Sequence, residues 1–136
     1  REGEMVILDR FGSSNPVSAL EPVASTADIL DLQEQVKKVR VEPVLKEYII
    51  DIVEETRKSP EVVLGVSPRG SLNLYRAAKA WAFINGREYV LPDDIQQMAV
   101  PVLAHRIILG SGTKMKNITS EDVILSCMKN VKVPVL

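Results

Sequence analysis

The sequence predicts an all-α fold, a small bundle of four to five helices with room for a tiny two-stranded ladder. Three observations carry that reading. Apolar residues recur at helical spacing in separate stretches of the chain. Pro43, Pro68 and Pro92 stand where a helix can begin, since the first helical position has no use for an amide hydrogen. Aromatic residues make up only 4% of the 136 residues, so the core must be mostly aliphatic, with alanines that let helices approach closely. At 46% hydrophobic and 26% charged, the composition is that of a globular domain.

The elements follow in order. Residues 2–11 fit a short helix, and residues 12–24 read as a loop, because Gly12, Ser13, Ser14, Asn15, Pro16 and Pro22 discourage regular structure. Ser25 or Thr26 can cap the next helix, with Asp28 in its first turn and Ile29, Leu32, Val36 and Val39 on one face. From Pro43, a helix carries Leu45, Tyr48, Ile49, Ile52 and Val53 on its buried side. Residues 67–85 form the third main helix, with Ser67 as N-cap, Pro68 as first residue, Gly86 as stop, and Leu74, Ala77, Ala78 and Trp81 as its apolar stripe. Pro92 opens a fourth, with Ile95, Met98, Ala99, Val102 and Leu103 inward and Pro101 as a kink or break. Residues 110–117 read as a loop; Thr119 or Ser120 then caps a last helix bearing Val123, Ile124, Cys127 and Val131. Tyr89-Val90-Leu91-Pro92-Asp93-Asp94-Ile95 echoes Asn117-Ile118-Thr119-Ser120-Glu121-Asp122-Val123. Each is an extended pair feeding an acidic helix start, and the two pairs are the candidates for the ladder.

Several functions are disfavoured. The formal net charge of -1 does not suit a nucleic-acid module that relies on a basic field. No apolar run approaches the roughly 20 residues that span a bilayer, so no membrane insertion is expected. The single cysteine, Cys127, has no internal disulfide partner, which fits a cytoplasmic setting. No phosphate loop and no Cys/His cluster with zinc spacing occurs, and one histidine with one distant cysteine could make a nucleophile–base pair only by coincidence of folding. The chain starts with Arg1 in what reads as a helix, which suggests a piece of a longer protein.

The most informative segment is Gly65-Val66-Ser67-Pro68-Arg69-Gly70. Glycine gives a flexible entry, and serine and proline start a stiff first turn carrying Arg69. A cation there opposes the positive end of the helix dipole. The placement makes sense if the guanidinium reaches an external anion such as phosphate, which it can grip with a bidentate fork. The local pattern is equally compatible with an arginine paired to a nearby carboxylate.

An ordered series of segments resembles the C-terminal lid domain of the MoxR family of AAA+ ATPases. It comprises Gly65 to Gly70, Arg76-Ala77-Ala78-Lys79-Ala80, Gly86-Arg87-Glu88-Tyr89-Val90, Pro92-Asp93-Asp94-Ile95 and Val102-Leu103-Ala104-His105-Arg106. Val39 to Arg57, including Tyr48-Ile49 and Thr56-Arg57, fits as well, so the likeness covers about residues 16–133. The resemblance implies a helical lid at 25–136 behind an arm or linker at 1–24 from an ATPase core. It implies that Arg69 is the sensor 2 residue that the lid brings over the ATP phosphates, with Ser67 and Pro68 positioning it and Gly65 lining the approach. ATP and magnesium would be used by the full-length protein, the magnesium ligands lying outside this chain, and the fragment alone would be inactive. Further implications are a hexameric ring, a chaperone-like remodelling role and partners bearing von Willebrand factor A domains. Packing rather than nucleotide contact is expected for His105 and Arg106, and Arg76 falls on the same helix face as Arg69. The rival reading is a helical interaction module, an adaptor without nucleotide chemistry, which needs an exposed apolar patch unrelated to Arg69.

Overall fold

A computed structural model describes residues 1–12, 17, 20–115 and 117–135, so the predicted loop residues Ser13, Ser14, Asn15 and Pro16 lie outside the described residues. The chain divides into two compact units, Arg1–Gln33 and Glu34–Leu136.

The first unit holds α1 (Glu2–Phe11) and most of α2 (Thr26–Lys38). Ser25 caps α2: its hydroxyl accepts the Asp28 N–H at 3.2 Å, and the Asp28 carboxylate accepts the Ser25 N–H at 2.7 Å. The Ser25 hydroxyl also donates to that carboxylate at 2.7 Å, and this bond first, then the one from the Ser25 N–H, holds the Asp28 carboxyl below the usual carboxylate range. The expected apolar face is not a core here. Ile29 and Leu32 are exposed, α2 has no buried residue, and only Val39, just past its end, is buried.

The second unit contains the end of α2 and, in order, α3 (Pro43–Lys58), β1 (Val62–Leu64), α4 (Pro68–Ile84) and α5 (Pro92–Leu103). A single 3₁₀ turn (Ala104–Arg106), β2 (Ile108–Leu109), α6 (Gly112–Met115) and α7 (Ser120–Asn130) complete it. It is a mostly helical bundle. The core is aliphatic, with Leu45, Ile52, Leu74, Ile95, Leu103 and Ile124 all fully buried. Each such side chain contributes about 1.5–3 kcal/mol over its exposed state.

Helix α3 buries the whole expected stripe and one residue more, Thr56. On α4 the buried line is Gly70, Leu74, Ala78 and Ala82, one residue in every four. Trp81, assigned to the stripe from its spacing, stands at the edge with 36% exposure. Small residues on that line let α4 and α5 form the most extensive helix–helix contact among the described residues. Helix α5 buries Ile95, Ala99 and Leu103, continues two residues past Pro101, and then gives way to the 3₁₀ turn. Helix α7 starts with the expected Thr119 cap: the hydroxyl accepts the Asp122 N–H at 3.1 Å, and Asp122 accepts the Thr119 N–H at 3.0 Å.

Gly86 ends α4 as the sequence suggested. Its φ of +72° is left-handed, a region where other residues are strained. The Gly86 N–H reaches Phe83 O at 2.9 Å and the Arg87 N–H reaches Ala82 O at 3.0 Å, a Schellman closure. Arg87 then grips Asp94 with both terminal nitrogens, and Asp94 accepts the Leu91 N–H at 2.7 Å. One carboxylate thus caps α5 and locks the α4–α5 connection.

The ladder exists, but between other segments than those expected. β1 and β2 pair antiparallel, Val62 opposite Leu109 and Leu64 opposite Ile108, while Tyr89 forms an isolated parallel bridge with Arg40. Asn117 adopts a φ of 52°, which no strand permits. Gly112–Met115, expected as loop, forms the short helix α6. Lys79 is a buried cation on α4; its Nζ donates to Lys37 O at 2.6 Å, at the end of α2. Burial, and then the charge of Lys46, hold its ammonium below the usual lysine range.

Replacing Arg87 with Met should cost about 3 kcal/mol of folding stability, because it strands the nearly buried Asp94 carboxylate. Urea denaturation of the two proteins checks this, and an unchanged midpoint would contradict it. Burial, then the carboxylates of Glu55 and Glu61, push the Cys127 thiol up to about 11. The native state therefore holds this proton more tightly than the unfolded chain. The resulting stabilisation is full below the unfolded value of 9.0 and fades as pH rises through about 11. Iodoacetamide at about pH 8 should leave native Cys127 unmodified and label it readily in urea, as mass spectrometry would read.

Candidate functional site

The predicted site residues converge on the N-terminus of α4. Val66 is fully buried, and both of its backbone polar groups are taken by the last turn of α3. The Val66 N–H donates to Thr56 Oγ1 at 3.1 Å, and that hydroxyl donates onward to Val53 O at 2.6 Å. Arg57 Nε donates to Val66 O at 2.8 Å. Thr56 is itself fully buried, so its hydroxyl has exchanged water for these two bonds.

Two glycines make the close approach possible. A Cβ on Gly65 would stand 2.6 Å from Arg57 Cγ and 2.9 Å from Arg57 Cα. A Cβ on Gly70 would stand 2.1 Å from Val66 Cγ1, which belongs to a stiff, buried, β-branched side chain. Gly65 therefore does more than offer a flexible entry; it lets the loop lie against the α3 backbone.

Ser67 differs from its expected role. Its backbone is extended, at φ −76° and ψ 164°, but its side chain makes no capping bond. Its carbonyl accepts the Gly70 N–H at 2.8 Å instead. Pro68 takes the first helical position as expected. Pro68 has no N–H and the Gly70 N–H is committed, so of these three first-turn residues only Arg69 offers an amide without a bond among the described residues.

Arg69 is exposed in that first turn. Among the described residues it forms no salt bridge, so the carboxylate-paired alternative is not what the structure shows. Two more arginines approach the same helix end: Arg57 through its bond to Val66, and Arg106, whose Cδ lies 3.6 Å from the place a Gly70 Cβ would take. Neither has a carboxylate partner among the described residues, and Arg106 Nε is buried without a hydrogen bond. The aliphatic part of Arg106 packs against α4 as expected, whereas His105 is exposed and fills no packing position. Arg76 is exposed on α4, two turns beyond Arg69.

This donor set suits a polyanion such as a phosphate chain: an exposed guanidinium, a free amide at a helix N-terminus, and no carboxylate ion-paired to Arg69 among the described residues. Among the described residues, no three His, Cys, Asp or Glu side chains are grouped to hold a metal ion. No helix among them is long and apolar enough to cross a membrane. Sequence reasoning missed Thr56 and Arg57 as parts of this site. The available signal was a polar residue, Thr56, continuing the apolar stripe of Leu45, Ile49 and Ile52 at helical spacing.

A family model for the AAA lid domain matches residues 54–126. The chain belongs to that family. Its relatives narrow the class. The uncharacterized protein YeaC of Bacillus subtilis is 45% identical over 97% of this chain, and the chaperone MoxR1 of Mycobacterium tuberculosis is 33% identical over 98%. A crystal structure from Cytophaga hutchinsonii, provisionally assigned as an ATPase, superposes with a TM-score of 0.84 at 30% identity over 99% of this chain. The chain is a lid domain of the MoxR type. It spans 41% of YeaC, 37% of MoxR1 and 44% of the Cytophaga chain.

Replacing Gly65 with Ala should cost about 2 kcal/mol, because the new methyl group meets the Arg57 backbone, which cannot swing aside. A lower urea midpoint with an unchanged slope is the expected reading. A wild-type midpoint would show that the loop gives way freely.

Proposed function

We propose that this lid supplies Arg69 as a sensor 2 arginine to an ATP site built mainly by an ATPase core of the same protein. The observation that carries the reading is an exposed guanidinium without a carboxylate partner, on the first turn of a helix whose approach is clamped. Placing a cation at the positive end of a helix dipole is locally unfavourable, and the arrangement gains only when an anion arrives. The γ-phosphate of ATP is such an anion. When bound with magnesium, ATP supplies the phosphoryl group that water attacks. Arg69 would sit against the phosphate oxygens and stabilise the charge that grows on them. Gly65, Ser67 and Pro68 set the path and geometry of its approach. Magnesium would be held by carboxylates of the core.

The remaining assignments rest on the family and on the names of the relatives. Residues 1–24 are the arm from the core, and residues 25–136 form the lid. The intact protein assembles as a ring, taken as a hexamer, works in the cytoplasm and remodels client proteins in a chaperone-like way, the word that MoxR1 carries. Partners with von Willebrand factor A domains are proposed on the resemblance alone. The adaptor alternative required an apolar patch unrelated to Arg69. Exposed Met5, Ile7 and Leu8 on α1 and Ile29 and Leu30 on α2 are apolar residues of that kind, whereas exposed Val63 and Leu64 lie in the ladder strand that leads directly into Gly65, alongside exposed Ile108. A lid closing on a core would cover such residues.

In the intact ATPase, Arg69→Ala should lower kcat by about tenfold or more, in line with removal of one donor from a charge-stabilising site. Steady-state phosphate release measures it; wild-type turnover would remove Arg69 from this role. The isolated lid should show no ATP turnover, and sustained hydrolysis by it would refute the divided-site reading.

A further inference from the structure

We propose that Thr56 and Arg57 are positioning residues for Arg69, so that the last turn of α3 fixes where the sensor arginine points. The inference rests on the assignment of Arg69 to the ATP phosphates.

The path from clamp to arginine is short and has little freedom. Val66 lies three residues before Arg69, and its N–H and C=O are held by Thr56 and Arg57 at 3.1 Å and 2.8 Å. Thr56 is in turn tied to Val53 O at 2.6 Å, so the hydroxyl sits between two fixed backbones. After Val66 comes Ser67, in extended geometry, with its carbonyl bonded to Gly70 at 2.8 Å. Pro68 follows, with φ fixed by its ring. Gly70, one residue past Arg69, presses on Val66 Cγ1 and closes the circuit. Hence the Cα–Cβ direction of Arg69 is set by α3, and only its own side-chain torsions remain free. The free terminal nitrogens of Arg57 are not needed for this role; the bond to Val66 comes from Nε.

Thr56 is suited to the task by its double character. A serine could make the same two bonds, while a valine would fill the same space and leave the buried Val66 N–H without an acceptor. The loop would then have to shift to reach water. Displacement of about 1 Å at a reacting centre costs up to about 100-fold in rate. A loss of turnover follows, with little change in the affinity that other contacts supply.

The test uses the intact ATPase carrying Thr56→Val, Thr56→Ser, Arg69→Ala and the Thr56→Val/Arg69→Ala pair. Thr56→Val is expected to lower kcat by about tenfold with a smaller change in KM for ATP, and Thr56→Ser to restore it. On the Arg69→Ala background, Thr56→Val should slow turnover no further, because the two residues act in series. Wild-type kcat in Thr56→Val, with Arg69→Ala impaired, overturns the positioning role and leaves Arg69 in place. An equal further loss on the Arg69→Ala background also overturns it, since Thr56 would then act by another route. If Arg69→Ala itself turns over normally, both the assignment and the inference fall. Should Thr56→Val not fold, Arg57→Met, at an exposed position, removes the other half of the clamp and is read by the same outcomes.

Discussion

Everything near the start of α4 depends on the double capture of Val66 by α3. A buried residue between two secondary elements has an N–H and a C=O that neither element satisfies, and leaving either unpaired costs about 1–3 kcal/mol. Here the last turn of α3 meets both needs, the N–H with Thr56 and the C=O with Arg57. Once that is fixed, much else is forced. Gly65 must lack a side chain because the loop lies on the Arg57 backbone, and Gly70 must lack one because it lies on Val66. Helix α4 then starts at a defined point with a defined direction.

The rest of α4 inherits that definition. Its buried line of Gly70, Leu74, Ala78 and Ala82 packs closely on α5, and close-packed helices have few ways to slide. The Schellman closure at Gly86 and the Arg87–Asp94 pair fix the far end of the hairpin. At the same level, Lys79 ties α4 to the carbonyl of Lys37. An arginine on the first turn is therefore coupled to the whole second unit. A lid so connected can move as a body, and little of the proposed response to nucleotide would be lost in internal flexing.

Local features of the fold were legible in the sequence, and non-local ones were not. Helix starts at Pro43, Pro68 and Pro92, the stop at Gly86 and the cap at Thr119 depend on a few adjacent residues, and all appear where expected. The core stripe of α3 was legible because its period is strict. Strand pairing was misread, since extended pairs look alike and the true partners, Val62–Leu64 and Ile108–Leu109, lie more than forty residues apart. Ser67 looked like a cap, yet its side chain was free not to act as one once Gly70 bonded its carbonyl. Arg69 stood out because it broke a local electrostatic rule. Thr56 did not, because its meaning comes from a backbone ten residues away.

Charge shows the same division between sum and place. A net charge of -1 across the chain argues against a broad basic field, yet it says nothing of local balance. Arg57, Arg69 and Arg106 all approach the start of α4, and none has a carboxylate partner among the described residues. Such a cluster is tolerable only because water still reaches most of it; desolvated without counter-charge, it would destabilise the fold. The proposed closure over an anion would change both conditions at once, removing water and supplying the missing charge. The same closure without an anion would expel water from cations that nothing neutralises. On that physical ground, with Arg69 in the proposed role, an open lid would be the favoured state when the phosphates are absent, and the unpaired arginines would bias the molecule between its two states as well as stabilising charge in one of them.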